Sequence, residues 1–371
     1  MSGQKVLNLL DITAAGKEVS LTDLLTADAP LVFARAKDHP PLTLLPPRFL
    51  NRAEFASVFP SGPVTRHEPM LCAASDCFLL GPFGHVVLAN GQLLRQSVLN
   101  LDGASLQYSL EQFKAQFPGD CIPWTAAPQA VFSANGYATN NYFHFLVDCL
   151  AQLHWRDSVP ALGATKTILT GYPPEAEATL PFMADAMSAA KIALHDLQPF
   201  DGTLLFCRKV IFPRRNTGAN PLKTQWLRER FGVAGRPRGQ ERLYISRGSA
   251  PRRRIVNEAD VQKLLTAHGF KFVDPGKLSV AQQVELFADA ALVVGAHGAA
   301  LTNALFMGEG AGLIELTHTE RVVWTYHEVA SAAKLTYACV VGDVVGDRSE
   351  PVFADFEIDV GALEAALKAV M

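Results

Sequence analysis

Signatures of metal-centred and covalent chemistry are missing from this 371-residue chain. No Asp-x-Asp triplet occurs, so no paired-carboxylate metal site is evident. The six cysteines (Cys72, Cys77, Cys121, Cys149, Cys207, Cys339) are scattered, without CxxC or His-paired spacing. A zinc centre or a disulfide frame is therefore not expected, and a reducing compartment fits. There is no GxxxxGK[ST] phosphate loop, no HExxH and no GxSxG elbow. No apolar run reaches the roughly 18–20 residues that span a bilayer. The amino terminus lacks the apolar core of a signal peptide, so a cytoplasmic location is the expectation. Internal repeats and low-complexity tracts are absent too.

What is present is a globular composition, 49% apolar and 19% charged, at a length that suits two domains. The net charge of −3 hides an asymmetry. Between Phe206 and Arg254 stand 14 Lys/Arg against two acids, Glu229 and Glu241. Three explanations compete: a solvated basic face, a nucleic-acid surface, or a pocket for phosphate-bearing ligands beside a membrane or anionic acceptor. No nucleic-acid module accompanies the arginines and few aromatics interleave with them, so nucleic acid is not the expected partner. The order of elements favours the pocket.

Residues 1–125 read as short β-prone pieces cut by Pro and Gly, with weak boundaries. From Gln129 the pattern sharpens. Strands are expected at 130–132, 166–170 and 203–212, with helices at 140–154 and 175–190. After a basic stretch a second series begins, with strands at 243–246, 270–274, 291–295 and 312–316. Its helices are expected at 257–267 and at 279–289, the latter N-capped by Ser279. This alternation predicts an α/β fold with parallel strands. We expect an amino-terminal domain over 1–205 and a Rossmann-like domain over 206–345. A carboxy-terminal helix in 346–371 could return to either.

The most informative segment runs from Leu292 to Asn303. A β-branched run ends at Gly295, and His297-Gly298 leads into a helical pattern. A helix N-terminus presents unpaired N–H groups and partial positive charge, which favour an anion. An ordinary Rossmann turn is the plainer alternative. Ser246-Arg247 and Glu315 fall at neighbouring strand ends, where ligands sit in such sheets. Arg247, and at least one of Arg252, Arg253 and Arg254, are expected to contact phosphate bidentately. The alternative is a charged surface loop. Gly308-Glu-Gly-Ala-Gly312 resembles a dinucleotide glycine box but precedes a strand, so the mechanism of that motif fails.

Helix 140–154 is apolar nearly all round except for Asn141, His144, Asp148 and Gln152, spaced to share one face. A polar stripe on a buried helix faces a cleft or satisfies itself. His144 and Asp148, one turn apart, are either a carboxylate-oriented general base or a structural pair.

Taken in order, Asn141-Tyr-Phe-His-Phe-Leu-Val-Asp148, Tyr244-Ile-Ser-Arg247, Arg253-Arg-Ile-Val-Asn-Glu258, Ser279-Val-Ala-Gln-Gln283 and Ala296-His-Gly-Ala-Ala-Leu-Thr-Asn303 with Ile314-Glu315 resemble glycosyltransferase family 61. The likeness spans roughly Gln129 to Leu316. It implies an inverting transferase of GT-B architecture, two Rossmann-like domains facing across a cleft. The donor would be a nucleotide sugar, on the carboxy-terminal side, and UDP is the expected nucleotide. The acceptor would be a glycan or glycolipid hydroxyl. The signal-free chain looks like the bacterial members of capsule or lipopolysaccharide assembly, which leaves room for peripheral contact at the inner face of a membrane. Arg247, Arg253, Arg254, His297, Gly298, Ala299, Thr302, Asn303 and Glu315 would hold the donor, with Glu315 on the ribose hydroxyls. His144 and Asp148 would be catalytic and Asn141 would meet the acceptor. No tightly bound cofactor is implied. Metal need and oligomeric state stay open, and a non-catalytic nucleotide-sugar-binding assembly protein is the alternative.

Overall fold

The computed structural model describes residues 4–5, 12–13, 17–18, 31–35, 41–64, 70–80, 84–89, 92–97, 121–122, 124–127, 131–134, 140–169, 178, 180–193, 197–199, 204–214, 218–247, 252–346 and 349–371. The chain divides into two units, 1–40 with 66–217 and 41–65 with 218–371. The break thus falls near Gly218 and not at residue 206. The weakly patterned amino-terminal stretch is also shared: residues 41–65 belong to the second unit.

The first unit is built on one mixed sheet. Its parallel part runs Leu197–Pro199, Lys166–Leu169, Val131–Ala134 and Leu204–Pro213, in that spatial order. Antiparallel strands Met70–Leu80 and His85–Leu88 extend it, and Leu31–Arg35 pairs with Met70–Leu80. Val131, Ile168, Cys207, Val210 and Phe212 share its core with Cys72, Cys77 and Leu79. Of the expected helix 175–190, Pro181–Ala189 is observed; residues 170–177 and 179 lie outside the described residues.

The second unit carries a parallel sheet. In chain order its strands are Glu241–Ile245, Lys271–Val273, Ala290–Ala296, Gly312–His318 and Thr336–Val345. In space Lys271–Val273 comes first, followed by Glu241–Ile245 and then the other three in sequence. That is the 2-1-3-4-5 order of a flavodoxin-type doubly wound sheet, whose direction of winding reverses between the first and third strands. Ala290–Ala296 is buried along its whole length, as a central parallel strand must be. Asp355–Glu357 adds an antiparallel edge and Phe49–Leu50 a parallel one.

Helix Val280–Ala288 opens with a complete capping box: Ser279 accepts from the Gln282 amide and Gln282 reaches back to the Ser279 amide. The terminal helix Val360–Val370 packs its Leu363, Ala366, Leu367 and Val370 into the core of this second unit, with Leu292, Ile314 and Val340. It does not return to the first. Among the described residues no helix is long and apolar enough to cross a membrane.

Candidate active site

In a doubly wound sheet the crevice for ligands opens at the carboxyl ends of the strands flanking the reversal. Here those ends are Ile245, followed by Ser246 and Arg247, and Ala296, followed by His297 and Gly298. Gly295 allows the close fit of this turn, since a Cβ there would lie 2.9 Å from Leu301 and 3.0 Å from Ile245. The segment after Gly298 is a tight 3₁₀-like helix, Ala299–Phe306, and not a regular α-helix. Its fixing points are polar. The Arg228 guanidinium, itself buried, donates to the carbonyl oxygens of Leu305 (2.7 Å), Met307 and Ala333 (3.3 Å). Burial lowers the pKa of Arg228 from the usual guanidinium range.

At the mouth of the crevice two guanidinium groups converge on one oxygen. Arg247 Nη1 and Arg253 Nη1 lie 3.4 and 3.1 Å from the His297 carbonyl oxygen. Arg247 Nη1 also occupies the space that a side chain at Gly298 would need, 2.0 Å from an ideal Cβ. Gly298 is therefore required for close approach and not for its extended backbone, φ 175°. Among the described residues neither Arg247 nor Arg253 forms an ion pair with a carboxylate, and the Nε of each is buried without a hydrogen-bond partner. Burial lowers the pKa of Arg247, and that of Arg253 falls to about 10 through burial, Arg247 and Arg321. Uncompensated, partly desolvated cations of this kind have an anion as their natural complement.

Beneath them His297 is held rigidly. Its Nδ1 meets Glu315 Oε1 at 2.5 Å, and Glu315 Oε2 accepts from the Tyr337 hydroxyl at 2.6 Å. The His297 ring stands edge-on to Tyr326, whose hydroxyl donates to the Gly298 carbonyl at 2.5 Å. With Nδ1 committed to Glu315, Nε2 is the nitrogen left to serve a ligand.

Several expected contacts are relocated by burial. Glu315 is 1% exposed with both oxygens engaged, so it positions His297 and does not present a carboxylate to ribose. Thr302 and Asn303 have no exposed surface. Asn303 Nδ2 instead ties the turn to Gln283 Oε1 at 2.8 Å. Arg254 points elsewhere, its side chain paired with Asp355 at 2.6 Å and its amide donating to the same carboxylate. Ala299 lies half-buried at the turn. The linking residues 248–251 lie outside the described residues. Gly308–Gly312 is a turn into a strand, with Gly310 at φ 77°.

Three residues of the crevice escaped the sequence reading. His318 ends the Gly312–His318 strand, Arg321 follows in the Thr319–Arg321 turn, and Tyr326 sits in helix Thr325–Ala332. Strand adjacency brings His318 near His297, and helix Thr325–Ala332 sets Tyr326 against the His297 ring. A polar run (His318-Thr-Glu-Arg321) after an apolar strand was the available signal.

The basic segment is likewise dispersed. Lys223 and Arg228 are buried, Arg236 pairs with Glu285, and Arg208 with Asp76.

In the first unit, residues 142–158 are helical, though not uniformly α. A π turn covers His144–Cys149, a 3₁₀ turn Leu150–Leu153, and an α turn His154–Ser158. His144 Nδ1 meets Asp148 Oδ2 at 2.6 Å, with Asp148 buried and His144 partly exposed. π turns inside helices are rare and concentrate at functional positions. Asn141 accepts from the Phe143 amide at 2.9 Å, and so serves as the helix's opening cap. Gln152 reaches the Asp148 carbonyl at 3.5 Å.

Residues 142–314 match the family model described as Glycosyltransferase 61. That match covers 173 of the 371 residues and supports the assignment to glycosyltransferase family 61. The chain is therefore a glycosyltransferase, an enzyme that takes a sugar donor and an acceptor. The match contains the His144–Asp148 pair, Arg247, Arg253 and the His297-Gly298 turn, and it stops one residue short of Glu315. No curated protein matches the chain.

Proposed function

We propose that this family 61 enzyme transfers a sugar, with inversion, from a nucleoside diphosphate sugar to a hydroxyl of a glycan or glycolipid. The nucleotide is taken to be UDP and the setting cell-surface polysaccharide assembly. One observation carries the donor side: two guanidiniums without carboxylate partners among the described residues converge on the His297 carbonyl, beside Gly298, at the reversal point of a parallel sheet. The diphosphate rests there. As the glycosidic bond breaks, the electron pair passes to the phosphate oxygen, where Arg247, Arg253 and His297 stabilise the developing charge.

On the acceptor side, His144 takes the proton of the attacking hydroxyl at Nε2 while Asp148 holds Nδ1. In the GT-B reading, the first unit contributes this base and the acceptor contacts, and the second unit contributes the donor site.

A thermal-shift panel of nucleotides and nucleotide sugars tests the donor assignment, and stabilisation by one base with one sugar is expected. Replacing His144 by Ala should lower kcat by about 10²–10⁴-fold with little change in donor affinity. A kcat within a few-fold of the parent enzyme would remove His144 from the base role.

A further inference from the structure

Helix Thr325–Ala332 meets the Gly298 turn at one residue, and its next two residues hold segments that come from elsewhere in the chain. Its eight residues, several of them β-branched or aromatic, make a weak helix by themselves. What its side chains grip therefore sets its position. Successive helical residues point about 100° apart. Tyr326, His327 and Glu328, all buried, use that divergence to reach three different segments.

Tyr326 faces the turn, with its hydroxyl on the Gly298 carbonyl and its ring against His297. His327 faces residues 41–65. Burial lowers its pKa, and the uncharged ring donates from Nε2 to the Leu45 carbonyl at 2.5 Å. One turn along the helix, Ser331 Oγ accepts from the Leu45 amide at 3.2 Å. Phe59, from the other arm of this excursion, stands edge-on to the His327 ring at 5.6 Å. The excursion is itself braced. Leu42–Leu44 pairs with Gly62–Val64 at its base, and the Asn51 side chain both donates to and accepts from the Val341 backbone.

Glu328 faces Gly218. That glycine sits at φ 106°, and a Cβ there would lie 2.8 Å from Glu328 Oε1, so the carboxylate packs directly on its backbone. The buried Lys223 ammonium donates to the Gly218 carbonyl at 3.1 Å. Leu45 and Gly218 share one property of chain position. The chain enters the second unit between residues 40 and 41 and again between 217 and 218. One short helix thus anchors a residue near each entry and touches the turn with a third side chain.

We infer that helix Thr325–Ala332 is a positioning element for the transfer site. His327 and Glu328 grip the two places where the chain enters the second unit and so hold Tyr326 on the Gly298 carbonyl. Neither residue touches substrate; both act through Tyr326. Residues 41–65 gain a role by this reading: they shape the turn from behind. The functional consequence, though not the mechanical one, rests on the donor reading.

Amide hydrogen exchange on the full chain reads the turn without a ligand, calorimetric titration with UDP reads its use, and melting temperature checks the fold. His327→Phe should speed exchange of amides 299–306 about tenfold or more and weaken UDP binding about tenfold. His327→Gln, whose amide can donate to Leu45, should restore part of both. Tyr326→Phe should loosen the same amides, and combining it with His327→Phe should add little. Gly218→Ala, which drives a Cβ into Glu328, should also loosen the turn eighty residues away. Should His327→Phe fail to fold, Ser331→Ala removes only the acceptor of the Leu45 amide and should shift exchange the same way. Unchanged exchange at 299–306 in His327→Phe and Gly218→Ala would overturn the positioning role, and UDP binding by the parent would leave the donor reading standing. Exchange that rises evenly across the second unit as the melting temperature falls would make His327 a general core residue and also overturn it. Faster exchange at the turn in a parent protein that binds neither UDP nor any nucleotide sugar would keep the positioning role and remove the donor reading.

Discussion

Glu315 holds His297 by a 2.5 Å contact from Oε1 to Nδ1, a pairing that joins the residue just past one parallel strand to the middle of its neighbour, Gly312–His318. Because the two residues are only 8% and 1% exposed in their side chains, water does not compete for this bond. The orientation of His297 is set by a carboxylate that is itself buried.

Glu315→Gln should therefore weaken donor binding about tenfold, although the ligand never meets residue 315. Tyr337→Phe removes one neutral hydrogen bond to the same carboxylate and should have a smaller effect, about a few-fold. Calorimetric titration of the donor reads both. Equal affinity in Glu315→Gln and the parent would show that His297 needs no orienting partner.

Gly298→Ala should act through Arg247, a residue 51 positions earlier. The added Cβ would collide with Arg247 Nη1, while the extended backbone at Gly298 tolerates any residue. The expected result is donor affinity reduced about tenfold or more, with a melting temperature within a few degrees of the parent. A large loss of stability with intact binding would mean that the guanidinium simply moves aside.

His318 makes stability pH-dependent in a defined direction. Its pKa falls from 6.5 to about 4 on folding, under burial and the charges of Arg253, His297 and Arg321. Below pH 6.5 the unfolded chain takes up a proton that the folded chain refuses. The contribution is thus fully present above pH 6.5 and is lost as pH falls towards 4. Melting temperatures at pH 7 and pH 4.5 should differ less in His318→Gln than in the parent; an identical difference would contradict the assignment.

Arg228→Met should unfold the donor turn most severely. Three carbonyls, of Leu305, Met307 and Ala333, would lose their common donor inside the protein. Leaving buried acceptors unpaired costs about 1–3 kcal/mol for each group, so a loss on the order of 3 kcal/mol is expected from denaturant titration. A loss below about 1 kcal/mol would indicate that water enters and replaces the guanidinium.

The local pattern reached the elements of the second unit because parallel strands buried on both faces read as apolar runs, and helices between them announce their caps. Ser279 with Gln282 was legible for that reason. The placement of Ser246-Arg247 and His297-Gly298 just past strand ends was legible because each pair follows an apolar run. The His144–Asp148 contact was legible from its four-residue spacing.

What the sequence determined by itself, then, is whatever depends on neighbours along the chain: strand ends, a capping box, a one-turn side-chain pair and a family resemblance. Tertiary structure alone decided the rest. It spent Glu315 on His297, buried Thr302 and Asn303, paired Arg254 with Asp355 and brought Arg321 and His318 into the crevice. It also returned residues 41–65 to the second unit. The physical reason is that burial and partnership of a polar group depend on which strands lie side by side. Here that adjacency joins residues from 18 positions apart, His297 and Glu315, to 101 apart, Arg254 and Asp355, beyond the reach of any local pattern.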